Sequence, residues 1–339
     1  MKRWQNVLFL KIILIVMGVS LTQQVLSGTI LGTKISEEVN NDFFKQQADQ
    51  TYRKMINTLT LIVTRSSYGI DWKSPRNMLL SVEKNQQHPH GSMFGQVSVE
   101  ISCQDEQGKN HFRIGGQELV NPSDFQNSID KKKLGMGALF TSFPGALLDE
   151  KDLNEYLSPR LEDSSIGFIT FRLAPTNCMR LTNYFDDLLQ TNSAHHFGLV
   201  SRPQYGEGGG CSTFAISFLD VAGIRNKIPD IDSWIRHIVV ADALIGDGLQ
   251  KKVLRRNVYH SNVWVAREDN PSRPLHFWEP DLIHLWLQKN YQTHLYSTYR
   301  VSSSLGIVMD YRSTETPQTS WWKESSKKES NSTITAKAR

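Results

Sequence analysis

Apolar and polar residues alternate with period two through Val97, Ser98, Val99, Glu100, Ile101, Ser102 and Cys103, the spacing of a strand with one buried face. The polar run 104–110, containing Gly108, predicts a turn, and 111–114 the return strand of a hairpin. A second β run covers 166–173. Pro175 follows, and then a helix to about residue 189 whose apolar face carries Cys178, Leu181, Phe185 and Leu188. Upstream, Phe44, Ala48, Tyr52, Met55, Ile56, Leu59, Ile62 and Val63 keep a 3.6-residue period, so a long amphipathic helix is expected from a cap at Asn40 or Asn41 to Thr64. Residues 65–95, with Pro75, Pro89 and several glycines, read as loop.

Downstream, four glycines (Gly206, Gly208, Gly209, Gly210) lead into Cys211 and an apolar run, Phe214, Ala215, Ile216, Phe218, Leu219, Val221 and Ala222, closed by Gly223. This is the pattern of a buried helix. Pro229 and Asp232 are expected to start another helix containing Trp234, Ile235 and Ile238. Strands are expected at 258–265 and 275–278, and Pro280 opens a helix through Leu282, Leu285 and Trp286. Helices and mostly antiparallel strands occur in separate stretches, which predicts an α+β fold. No internal repeat is visible.

The 339 residues, 39% hydrophobic and 21% charged, suffice for an ordinary globular core. The formal net charge of +4 comes from the ends. Lys2, Arg3 and Lys11 lie near the start and Lys323, Lys327, Lys328, Lys337 and Arg339 near the end, while the body is slightly acidic. Nothing in the charge therefore points to nucleic acid. The first 27 residues read as an export signal: Lys2 and Arg3, an apolar stretch of about ten uninterrupted residues, and Ser27 as the small residue before cleavage. That stretch falls short of the roughly 20 residues a membrane span needs. An uncleaved anchor is the alternative. The expected organisation is a signal peptide over 1–27, one domain over 28–322, and a disordered Ser/Lys/Glu-rich tail over 323–339. The mature protein is expected to be periplasmic or secreted, without a stable membrane span.

Cys211 is the leading candidate for chemistry. At a helix start it faces the positive end of the macrodipole and free N–H groups, which favours thiolate, and the glycines are expected to leave the sulfur open. The structural alternative is a glycine-rich connection ending in a small buried residue. Of the other cysteines, Cys103 and Cys178 could pair in an oxidising compartment. The reading adopted keeps them reduced, because Cys178 sits on an apolar helix face where burial needs no bridge. The glycine cluster lacks the Lys-Ser/Thr of a phosphate loop and does not meet the dinucleotide pattern. No CxxC, HExxH or GxSxG occurs, and His88, His90, His195 and His196 read as surface residues, so neither a metal nor another cofactor is expected. Trp234, Trp264, Trp278 and Trp286 read as core packing.

A thiol nucleophile needs a base. The segment Gln96-Val97-Ser98-Val99-Glu100-Ile101, with His111 fifteen residues after Gln96 and Cys211 about a hundred residues later, resembles the circularly permuted branch of the papain-like, NlpC-type cysteine hydrolase superfamily. The resemblance covers about residues 91–224. It implies a papain-like fold with a mostly antiparallel sheet packed on helices, and an amidase, peptidase or acyltransferase acting on a cell-envelope peptide or an acyl group. Cys211 matches the nucleophile. The base histidine expected after Phe94-Gly95 is replaced by Gln96, which takes up no proton at neutral pH. Either His111 or His90 then serves as base, or the fold persists as a catalytically inactive binding or envelope-structural protein.

Overall fold

The computed structural model describes residues 55–88, 93–162, 165–267 and 269–324. Its centre is strand β1, Thr58–Thr64, of sequence TLTLIVT, buried at every position. β1 pairs antiparallel with β2 (Gln96–Gln104) on one side and with β5 (Ile166–Leu173) on the other. A central strand covered on both faces reads as a continuous apolar and β-branched run, with no alternation. The sheet continues outward from β2 through β3 (Asn110–Leu119), β4 (Phe143–Leu148) and the two-residue β6 (His196–Phe197). Beyond β5 lie β10 (Ser304–Tyr311) and β9 (Ser297–Val301). Among the described strands of this sheet, β5 and β10 form the one parallel pair. The fold is α+β with a mostly antiparallel sheet.

Two layers of helix cover this sheet. Leu59, Leu61 and Val63 of β1 face a core shared with Leu181 and Phe185 of α4 (Pro175–Leu189), Phe214 and Phe218 of α5 (Cys211–Val221), and Trp286 and Leu287 of α7 (Pro280–Thr293). Ile62, on the opposite face, packs with Leu153, Leu157 and Leu161 of α3 (Glu150–Glu162). A separate core joins α1 (Pro75–Gln86) and α2 (Asp124–Asp130) to a two-stranded ribbon of β7 (Ile235–Ala241) and β8 (Ser272–Trp278). Trp72, Phe125, Val240 and Phe277 belong to that second core.

Several expectations give way. Residues 58–64 form strand, not helix: Leu59, Leu61 and Val63 point one way and Ile62 the other, and the earlier part of that expected helix lies outside the described residues up to 54. Residues 75–86, read as loop, form α1, because Pro75 occupies its first turn and Ser74 Oγ accepts from the Asn77 amide at 3.1 Å. The helix expected from Asp232 is a single 3-10 turn leading into β7. Residues 258–265, expected as strand, include the end of short α6, Arg255–Tyr259. Cys103 and Cys178 are joined in a disulfide with Cα atoms 5.6 Å apart, within the span a bridge requires, and Cys211 is the free thiol. The expected signal peptide over 1–27 and residues 325–339 of the expected tail lie outside the described residues.

Candidate functional site

The glycines before Cys211 serve backbone packing. The Gly209 amide donates to the His196 carbonyl at 3.1 Å and the Gly198 amide to the Gly209 carbonyl at 3.3 Å, so the loop lies flat against β6. Gly208 has φ +88°, and a Cβ there would stand 2.3 Å from the His196 carbonyl oxygen. No side chain fits that approach. Gln117 ties the same loop down, donating through Nε2 to the carbonyls of Ser193 at 3.0 Å and His196 at 2.7 Å. The expected open approach to the sulfur is thereby corrected: Cys211 is 7% exposed.

Gly210 caps α5 with its own amide donating to Thr213 Oγ1 at 2.7 Å. Lacking a side chain, it leaves the first helical N–H groups to other partners. Cys211 Sγ lies 4.0 Å from the Gly95 carbonyl oxygen and 3.8 Å from Ser212 Oγ. Burial pushes the Cys211 thiol up from its ordinary value; the Val97 amide, Ser212 and the Cys211 amide pull it back only in part. The sequence predicted the opposite direction. Desolvation penalises the thiolate here more than one helix start favours it.

The structure brings Gln96 and Cys211 together. Gly95 and Val97, which flank Gln96, both meet the sulfur, and Gln96 lines the same cavity as Cys211. Gln96 is 7% exposed, and its Nε2 donates to the Gln117 carbonyl at 3.2 Å. Gly95 holds the junction: at φ +77°, a Cβ would stand 2.7 Å from the Thr64 carbonyl oxygen and 2.9 Å from Pro280 Cβ. His111 is elsewhere. It lies opposite Cys103 at the other end of the β2–β3 ladder, six residues and about 20 Å of strand from Val97. There its Nε2 meets Asp105 Oδ2 at 2.8 Å and holds the Asp105 carboxyl below its ordinary value. His90 lies outside the described residues.

The cavity over Cys211 measures about 480 Å³. Trp72, Phe94, Phe125, Phe143, Phe197 and Phe277 supply its aromatic walls, so it opens between the main sheet and the second core. Trp72 and Phe94 stack with centroids 6.3 Å apart, and Phe94 meets Phe125 edge-on at 5.1 Å. Its acidic groups are Glu118 and Glu279, and no described residue lining it is a histidine. Glu279 is committed: Oε1 accepts from Trp72 Nε1 at 2.5 Å and Oε2 from Arg236 Nε at 2.7 Å. Burial raises both carboxyls, with Arg236 opposing the rise at Glu279 and Asp152 adding to it at Glu118. None of the walls was visible in the sequence, although Glu279 inside Phe277-Trp278-Glu279-Pro280, an acid in an aromatic run, was a usable signal.

Among the described residues no group of three or more His, Cys, Asp or Glu is placed to hold a metal ion, and no helix is long and apolar enough to cross a membrane. Comparison with protein-family models, curated proteins and solved structures finds no match to this chain.

Proposed function

We propose that this is an exported, papain-like binding protein that retains a nucleophile-bearing helix without its chemistry, and that its site takes an apolar or aromatic ligand into the cavity over Cys211. The observation that carries the reading is that Gln96 and Cys211 line one aromatic cavity, with no histidine among its described lining residues. Where a thiol hydrolase needs a proton acceptor, this site offers a carboxamide held by the Gln117 carbonyl. The thiol is buried and pushed towards its neutral form. A volume of about 480 Å³ with aromatic walls and a few convergent polar groups is ordinary for a small-ligand site. Export is supported by the Cys103–Cys178 bridge and by the Lys2-Arg3 and apolar pattern of the leader.

The test uses purified oxidised protein, Nile red as an uncharged apolar probe, and p-nitrophenyl acyl esters as activated substrates. Nile red is expected to bind one to one and to protect Cys211 from alkylation. Phe94→Asp is expected to weaken binding at least tenfold, about 1.4 kcal/mol, by placing a charge in the apolar wall. Wild type is expected to hydrolyse the esters no faster than Cys211→Ala, and Gln96→His to gain turnover that Cys211→Ala removes. Wild-type turnover lost in Cys211→Ala would overturn the binding reading in favour of a cysteine hydrolase. Nile red binding that leaves Cys211 unprotected would remove the cavity from the proposal.

A further inference from the structure

On the β7–β8 ribbon, His237 stands directly opposite His276 in the antiparallel ladder. Ile238 and Val240 of β7 and Leu275 and Phe277 of β8 turn into the second core, so both histidines lie on the other face, where both are exposed. Their ring centroids are 4.6 Å apart with planes at 71°, and Nδ1 of one ring meets Nδ1 of the other. The neighbouring cations are turned away and neutralised. Arg236 pairs with Glu279 at 2.7 Å and Arg273 with Asp242 at 3.0 Å. Two imidazoles facing nitrogen to nitrogen can share at most one proton, and the ladder holds their backbones in register.

We propose that His237 and His276 form a two-imidazole binding site for a late first-row divalent cation, Cu²⁺ before Ni²⁺ or Zn²⁺, ligated through both Nδ1 atoms. Imidazole suits these metals, and their order follows the general affinity series for nitrogen sites. Metal–nitrogen bonds of about 2.0–2.1 Å require the two nitrogens roughly 3 Å apart, which small rotations of exposed rings provide. With only two side-chain donors, water or a donor from a bound molecule completes the coordination. A bridge across the ladder also ties β7 to β8, the ribbon that carries Phe277 to the cavity wall. The site stands independently of what the cavity binds.

The experiment titrates the metal-free folded protein with Cu²⁺ and records affinity, stoichiometry and the electron paramagnetic resonance spectrum. Wild type is expected to bind one equivalent with superhyperfine structure from two nitrogens. His237→Gln and His276→Gln are each expected to weaken that equivalent by about a hundredfold, because either loss destroys the chelate. The double variant should lose little more. His195→Gln/His196→Gln, an exposed adjacent pair elsewhere, is expected to bind as wild type. Both ribbon positions are exposed, so melting without metal should not change, while Zn²⁺ should raise the melting temperature of wild type and of the His195/His196 variant but of neither ribbon variant. Unchanged affinity in either ribbon variant, or an equal loss in the His195/His196 variant, would overturn the proposal.

Discussion

At Cys211 two effects compete for one proton. The start of α5 and the Val97 amide favour thiolate, while a position 7% exposed favours thiol, and burial wins. Carboxamidomethylation near pH 7 is therefore expected to be slower at Cys211 than at an unstructured thiol, and to approach that rate on unfolding. The sign for stability follows from the same shift. A folded pKa above the unfolded value of about 8.5 gives a contribution fully present below that pH and lost as pH rises through the folded pKa. Urea midpoints of wild type should fall more steeply than those of Cys211→Ser above pH 8.5. Parallel curves, with alkylation as fast as for a free thiol, would show that the sulfur is solvated.

Among the elements, the bridge from the end of β2 to α4 ties the strand that meets Cys211 to a helix packed on the sheet. It spans 75 positions of sequence, and both sulfurs are buried. Replacing both cysteines with serine is expected to cost about 2–5 kcal/mol, read from the shift in denaturant midpoint, and dithiothreitol should produce the same loss in wild type. A midpoint insensitive to both would mean that the bridge does not form. The bridge escaped the sequence reading because it joins residues whose proximity depends on α4 lying across β2. What was legible had local causes. The alternation of β2, the β run at 166–173 and the prolines opening α4 and α7 each fix one element. β1 reads as helix in the sequence because a strand buried on both faces loses its alternation, and Met55, Ile56, Leu59 and Ile62 then mimic a helical period. Cys211 and Gln96 were singled out through a resemblance, and the structure puts both on one cavity. The cavity was not, since Trp72, Phe94, Phe125 and Phe277 come from segments about 200 residues apart in the extreme and none marks its role locally.

For the molecule as a whole, the start of α7 joins the end of β1 to the second core. Ser66 donates to Asp281 twice, through its amide at 2.7 Å and its hydroxyl at 2.5 Å, and Pro280 closes on Gly95 beside the site. One turn further on, His284 is 4% exposed. Burial pushes it down to about 4, and the nearby Arg65 charge adds to the shift. Unfolded histidine titrates near 6.5, so the unfolded chain takes up this proton first as pH falls. The contribution of neutral His284 is thus fully present above about pH 6.5 and lost as pH falls through the folded value of about 4. A shift of this size corresponds to about 3 kcal/mol. Glu279 and Asp281, raised by burial, act in the opposite sense: their contributions are present at low pH and fade as pH rises through their folded values. Wild-type stability is therefore a balance, and the histidine is isolated by difference. Between pH 6.5 and 4, His284→Gln should lose about 3 kcal/mol less of its unfolding free energy than wild type, measured by urea titration at each pH. Equal losses in the two proteins would show that the buried imidazole is protonated in the fold and that burial does not control its charge.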